Sequence, residues 1–76
     1  MEHKLKIYPE YFTQVCNGRK SFEIRKNDRN FQVGDLLVLQ EYCPIIQDYT
    51  GREVKKEVTY ITDFEQRDGY VVMSIK

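Results

Sequence analysis

Four consecutive apolar residues, Leu36-Leu37-Val38-Leu39, constrain the fold more than any other feature of the chain. Side chains of a strand alternate between the two faces of a sheet, so an unbroken apolar run must be covered on both faces. In a chain of 76 residues, a sheet that curls strongly or closes on itself covers one face, and a helix or loop covers the other. The run therefore predicts a strand inside a small β-barrel.

The rest of the chain predicts one helix and four further strands. Leu5 and Ile7 alternate with polar residues in the first strand, 3–8. Pro9 fits the first position of a helix, and apolar residues recur at helical spacing over 9–17. Further strands are expected over 20–26, 36–42, 53–63 and 70–75, with 36–42 and 53–63 paired as a hairpin and 45–51 as a loop.

These elements predict one α+β, mostly β domain over residues 1–76, a small barrel of about five strands with one short helix after the first strand.

Charge and cysteine content narrow the function classes. Twelve basic and twelve acidic residues cancel, so nucleic-acid binding must depend on local charge, and the segment 18–29 holds five basic residues against two acidic ones.

Cys16 and Cys43 lack Cys-x-x-Cys spacing, and the single histidine, His3, is expected to make a structural hydrogen bond. We expect no metal, no cofactor and no membrane span, and reduced thiols in a cytoplasmic protein.

Residues 18–25, Gly-Arg-Lys-Ser-Phe-Glu-Ile-Arg, place three charged groups around the beginning of one strand. Phe22 and Ile24 share one face and are expected to anchor the strand, whereas Glu23 and Arg25 share the other, with Lys20 at the turn. The two cations could neutralise phosphate or donate to a base carbonyl, and the carboxylate could accept from an exocyclic amine. The plain alternative is an exposed ion pair worth less than about 1 kcal/mol.

The same segment resembles the signature of ASCH domains in the PUA-like superfamily, Gly-x-Lys-x-x-Glu-x-Arg, at all four fixed positions. The segments 3–12, 25–35, 49–52 and 69–72 also resemble a small family of uncharacterised ASCH-like domains. The resemblance implies a PUA-like β-barrel with a cleft beside the 20–26 strand that holds RNA or a modified nucleoside.

The resemblance makes Lys20, Glu23 and Arg25 the expected ligand contacts. Lys26 and Arg29 adjoin them in a basic turn and are candidate phosphate contacts. Tyr49, expected in a loop, is a candidate for stacking on an exposed base.

Two other functions stay open. Some ASCH-like proteins hydrolyse the acetyl amide of N4-acetylcytidine with a lysine, a threonine and a glutamate. Lys20 matches the lysine, but Glu23 stands at the position of the threonine. An enzyme of this kind would need Lys20 to activate water and Glu23 to shuttle a proton. Alternatively, Ile45 and Ile46 form an exposed patch that binds a partner protein or, weakly, a second copy, unless they plug the barrel mouth.

Overall fold

A computed structural model describes all residues 1–76 and contains five β-strands and one α-helix. In chain order the elements are β1 (Glu2–Ile7), α1 (Pro9–Cys16), β2 (Phe22–Lys26), β3 (Leu36–Cys43), β4 (Asp48–Thr62) and β5 (Tyr70–Ile75). The mostly β class, the five strands and the short helix after the first strand are confirmed. The hairpin is also confirmed, because β3 and β4 pair antiparallel.

The strands form one mixed sheet in the order β1-β3-β4-β5-β2. β1 and β3 are parallel, and the other neighbours are antiparallel. β4 pairs with two neighbours: residues 48–57 pair with β3, and residues 58–62 pair with β5, with an irregularity between Val58 and Tyr60. A bulge bends a strand and increases its twist. The irregularity in β4 therefore lets one long strand join the two halves of the sheet.

The sheet does not close into a barrel, so that part of the prediction is wrong. β1 and β2 are the two edge strands, and no backbone hydrogen bond joins them. Two side chains span the gap instead. Arg25 Nη2 donates to the carbonyl of Lys6, and Arg29 Nη1 donates to the carbonyl of Lys4, both at 2.8 Å. Side chains, and not a backbone ladder with strands about 4.7–4.9 Å apart, therefore connect these two edges.

The apolar run of β3 lies in the middle of the sheet, between β1 and β4. Leu37 and Leu39 are fully buried and belong to the same core cluster as Phe12 of α1. Val38 is also buried but lies outside that cluster, as expected for the opposite face. Leu36 is 39% exposed. Burial on both faces is therefore confirmed for the last three residues of the run and wrong for the first.

The turn between β3 and β4 is shorter than the predicted loop, because β4 begins at Asp48 and only residues 44–47 connect the strands. Ile45 is 91% exposed and Ile46 is also exposed. The two isoleucines lie at the tip of a hairpin, so the suggestion that they plug the interior is wrong. Tyr49 lies on β4 and not in a loop.

A buried polar pair joins β1 to the beginning of β3. His3 Nε2 lies 2.8 Å from Asp35 Oδ2, and both residues are buried. The backbone N–H of Gln32 donates to the same carboxylate oxygen at 3.0 Å. The hydrogen bond with His3, followed by that from Gln32, lowers the pKa of Asp35 from 3.8 to about 2. The expected structural hydrogen bond of His3 is confirmed.

The structure contains no membrane-spanning helix, no cluster of potential metal ligands and no disulfide. No helix combines the length and the apolar character that crossing a membrane requires. No group of three or more His, Cys, Asp and Glu side chains is placed to hold a metal ion. Cys16 and Cys43 are both free thiols.

Asp35→Asn should make the free energy of unfolding less dependent on pH in acid. The pKa of Asp35 is about 2 in the folded chain, below the ordinary value of 3.8. The unfolded chain therefore binds more protons between these values, and stability present above about pH 4 is lost as the pH falls toward 2. Urea unfolding at several pH values between about 2 and 5 should show a shallower loss for D35N than for the wild type.

The matched control is Asp63→Asn, since Asp63 is exposed and its carboxylate makes no hydrogen bond. D63N should follow the wild-type pH dependence. Equal pH dependence of D35N and the wild type would contradict the assignment of the acid sensitivity to Asp35.

Candidate functional site

The gap between the edge strands β1 and β2 opens into a cleft of about 410 Å³. Its walls come from the end of β1, the first turn of α1, and the β2 strand with the turn before it. The lining is mainly apolar around four charged side chains: Ile7, Tyr8, Tyr11, Phe22 and Ile24, with Lys6, Lys20, Glu23 and Arg25. A smaller hollow of about 240 Å³ adjoins it and shares Lys6, Tyr8 and Arg25.

Local sequence features position both walls. Tyr8 precedes Pro9 and has an extended backbone (φ −75°, ψ 154°), which is the conformation that a residue before a proline prefers. On the other side, Gly18 follows the end of α1 with φ +80°, the left-handed conformation that commonly ends a helix. The backbone N–H of Lys20 then donates to the carbonyl of Gln14 at 2.9 Å. This turn holds Lys20 beside the helix at the entrance to β2.

The two faces of β2 are exchanged relative to the prediction. Glu23 is 3% exposed, whereas Phe22 is 43% and Ile24 is 51% exposed. The cause is the pairing with β5, in which Glu23 lies opposite the fully buried Met73. The inward face of β2 therefore carries the carboxylate. The two apolar residues, expected to anchor the strand, line the cleft instead.

Glu23 is the centre of an ion-pair network. Lys20 Nζ donates to Glu23 Oε1 at 2.5 Å, and Arg25 Nε donates to Glu23 Oε2 at 2.9 Å. Each carboxylate oxygen thus has a cationic partner, which offsets the cost of burying the charge. The network differs from the ordinary exposed ion pair that the sequence also allowed, because its carboxylate is almost fully shielded from water.

Both cations are also tied to the backbone. Lys20 Nζ donates to the carbonyl of Phe22 at 2.7 Å, and Arg25 Nη2 donates to the carbonyl of Lys6 at 2.8 Å. The ammonium of Lys20 lies 4.8 Å from the ring centroid of Phe22 and 6.0 Å from that of Tyr11. The structure therefore brings together Lys20, Glu23 and Arg25, with exposed aromatic rings beside the ammonium.

The other three candidate residues lie outside the cleft lining. Lys26 is exposed at the end of β2. Arg29 crosses the same gap but is engaged with the carbonyl of Lys4. Tyr49 packs edge-on against Tyr42, with ring centroids 5.3 Å apart.

Tyr8 and Tyr11 are cleft residues that the sequence analysis missed. Tyr8 was expected at the end of the first strand and Tyr11 within the helix, and both side chains are exposed at the junction of β1 and α1. Two tyrosines around Pro9, where a strand turns into a helix, were the available signal. The two tyrosines line a cleft only because β2 forms its other wall, and the periodicity of the sequence does not predict that β2 lies there.

A third buried carboxylate, that of Glu41, supports the fold away from the cleft. Arg52 donates to both of its oxygens, at 2.9 and 2.8 Å, and the hydroxyl of Thr50 donates at 2.7 Å. These hydrogen bonds, that of Arg52 first, lower the pKa of Glu41. The Arg52 guanidinium also lies 5.1 Å from the ring centroid of Phe12 in α1. The cluster thus ties the β3–β4 hairpin to the helix.

Glu23→Gln should destabilise the fold, because the amide removes the negative charge that Lys20 and Arg25 share. Hydrogen bonds to charged groups contribute about 1.5–3 kcal/mol, and the partial exposure of both cations reduces this, so we expect a loss of about 1–3 kcal/mol. Urea unfolding at neutral pH measures the change in the free energy of unfolding.

Glu53→Gln on β4 is the matched control, since Glu53 is exposed and makes no ion pair. It should change the free energy of unfolding by no more than about 0.5 kcal/mol. A loss in E23Q no larger than in E53Q would contradict the structural role of the network.

Comparison with known proteins places the chain in a family. The family model described as "Domain of unknown function (DUF3850)" matches residues 2–75. The chain is also similar to the "Uncharacterized 12.9 kDa protein in GpA 3'region" of Escherichia phage P2, with 38% identity over 72 residues that cover 93% of this chain. It spans 64% of the length of that relative. Neither description names an ASCH or PUA-like fold. The chain belongs to the DUF3850 family.

Proposed function

We propose that this chain binds RNA or a modified nucleoside, with a base in the cleft between β1 and β2. The supporting observation is a cleft that contains three exposed aromatic rings and two cations held by Glu23. Tyr8, Tyr11 and Phe22 all line the cleft and remain exposed. Exposed apolar surface that is gathered in a cleft is typical of binding sites. The cleft volume of about 410 Å³ lies in the range of small-molecule sites.

The cleft offers the two interactions that single-stranded RNA recognition uses. Unpaired bases stack on aromatic side chains and hydrogen-bond along their edges. Tyr11 and Phe22 supply ring faces, and the ammonium of Lys20 lies within 6.0 Å of both ring centroids. A base that stacks on either ring is therefore close to a hydrogen-bond donor.

Basic side chains along the edges of the gap supply the phosphate contacts. The chain as a whole has no net charge, yet both edge strands and the turn after β2 carry bases besides Lys20 and Arg25: Lys4, Lys6, Lys26 and Arg29. Positive charge concentrated beside a groove attracts the nucleic-acid backbone. Lys26 and Arg29 keep their proposed role here, at the border of the cleft.

The arrangement also supports the ASCH resemblance at the level of the motif. The signature residues Lys20, Glu23 and Arg25 converge in one network at the cleft. We therefore propose that the DUF3850 family shares the ligand-binding position of ASCH domains.

Binding accounts for the geometry better than hydrolysis of N4-acetylcytidine. Lys20 donates both to Glu23 and to the Phe22 carbonyl, which makes its nitrogen a donor rather than a base. Glu23 accepts from two cations and is shielded from water, so it is poorly placed to shuttle a proton. This arrangement of the three residues suits holding a ligand better than transferring a proton.

Lys20→Met and Arg25→Met should each weaken the binding of a mixed-sequence single-stranded RNA by about tenfold or more, since each removes a charge-assisted hydrogen bond worth about 1.5–3 kcal/mol. Fluorescence anisotropy of a labelled oligonucleotide measures the affinity. For the wild type, the slope of log K against log salt should be about −3 if Lys4, Lys6, Lys26 and Arg29 each contact a phosphate, since each contact to a single strand contributes about −0.7. Circular dichroism verifies that the variants are folded.

Lys55→Met is the control, because Lys55 is exposed on β4 and does not line the cleft. Unchanged RNA affinity in both cleft variants would contradict the proposal. If the wild type releases acetate from N4-acetylcytidine and K20M does not, the chain is a hydrolase and the binding proposal is contradicted. Capture of a nuclease-insensitive protein partner that is lost on replacing Ile45 and Ile46, with no RNA retained, would favour the protein-interaction alternative.

A further inference from the structure

We infer that the cleft selects bases by the exocyclic group at C4 of a pyrimidine or C6 of a purine, so that a ring with an oxo group there binds more tightly than the matching ring with an amino group. This inference rests on the proposed function. The hydrogen-bonding groups of the network that remain free to meet a ligand are donors, and the acceptor is occupied.

The cations retain free donors. A guanidinium has five N–H groups, and Arg25 uses one on Glu23 and one on the Lys6 carbonyl. An ammonium has three, and Lys20 uses one on Glu23 and one on the Phe22 carbonyl. Both residues line the cleft and are partly exposed. Unused N–H groups on both side chains are therefore available to a ligand.

The acceptor of the network is already occupied. Each oxygen of Glu23 accepts from a cation, and its side chain is only 4% exposed. An exocyclic amine of a base would therefore meet N–H groups of like polarity instead of a free carboxylate oxygen. This changes the role assigned to Glu23 from the sequence: it positions Lys20 and Arg25 and does not contact the ligand.

The donors favour a carbonyl on a ring over a phosphate. Glu23 neutralises one of the two cations, and most of the surrounding lining is apolar. A neutral oxo group is easier to bring into such surroundings than a phosphate, whose charge is better met by exposed lysines at the border of the cleft. Phe22 and Tyr11 beside the Lys20 ammonium would hold the ring that carries the oxygen.

Matched nucleosides test the inference, since uridine and cytidine differ at C4, and inosine and adenosine differ at C6, in carrying an oxo or an amino group, with the adjacent ring nitrogen protonated only in the oxo member. Calorimetric or NMR titration gives the four dissociation constants. The test uses the pair, pyrimidine or purine, whose members bind more tightly. We expect the oxo member of that pair to bind about tenfold more tightly, since base-specific hydrogen bonds discriminate by about 1–3 kcal/mol. Arg25→Met should bring the ratio of the two constants toward one, whereas Lys55→Met should leave it unchanged.

Equal binding of the two members, or tighter binding of the amino member, would overturn the inference and leave the proposed function standing. Displacement of the bound nucleoside from the wild type by inorganic phosphate would show that the two cations bind phosphate. That result would also overturn the inference. If neither the nucleosides nor single-stranded RNA bind, the proposed function itself fails.

Discussion

The carboxylate of Glu23 is the group on which the geometry of the cleft depends. It lies on the inward face of β2, opposite the fully buried Met73. Because it is buried, it requires the two cations that flank it in sequence, and it thereby fixes both side chains. Arg25 also connects the network to β1, because it donates a hydrogen bond across the gap to the carbonyl of Lys6. One buried charge thus organises the polar groups of the cleft and links its two walls.

The incomplete closure of the sheet is what makes a site available. Backbone pairing of β1 with β2 would fill the gap with a hydrogen-bonded ladder. Arg25 and Arg29 instead hold the edges together through side chains, which leaves room for exposed rings between them. The same side chains occupy edge carbonyls that would otherwise be free to pair with another strand, a recognised hazard of open sheets.

Much of the fold follows from local pattern. The alternation of Leu5 and Ile7, together with Pro9, predicted β1 and α1 to within a residue or so of their observed bounds. The two-residue period of β2 also grouped Glu23 with Arg25. Which face of β2 points inward could not be predicted, because it depends on the register with β5, a long-range pairing. For the same reason Tyr8 and Tyr11 were missed, since β2 lies opposite them only in the folded chain. The Glu41–Arg52 pair was missed because the second strand of the hairpin was expected to begin at residue 53, whereas β4 begins at Asp48.

The central claim is that the gap between β1 and β2 is a binding cleft, and mapping the ligand on the chain tests it most directly. A two-dimensional amide NMR titration of the ¹⁵N-labelled chain with unlabelled single-stranded RNA reports the contact surface residue by residue. The largest shift changes are expected at Tyr8, Tyr11 and residues 20–25, with little change at the hairpin tip. Changes confined to Ile45, Ile46 and their neighbours, or no changes at all, would contradict a cleft built around Glu23.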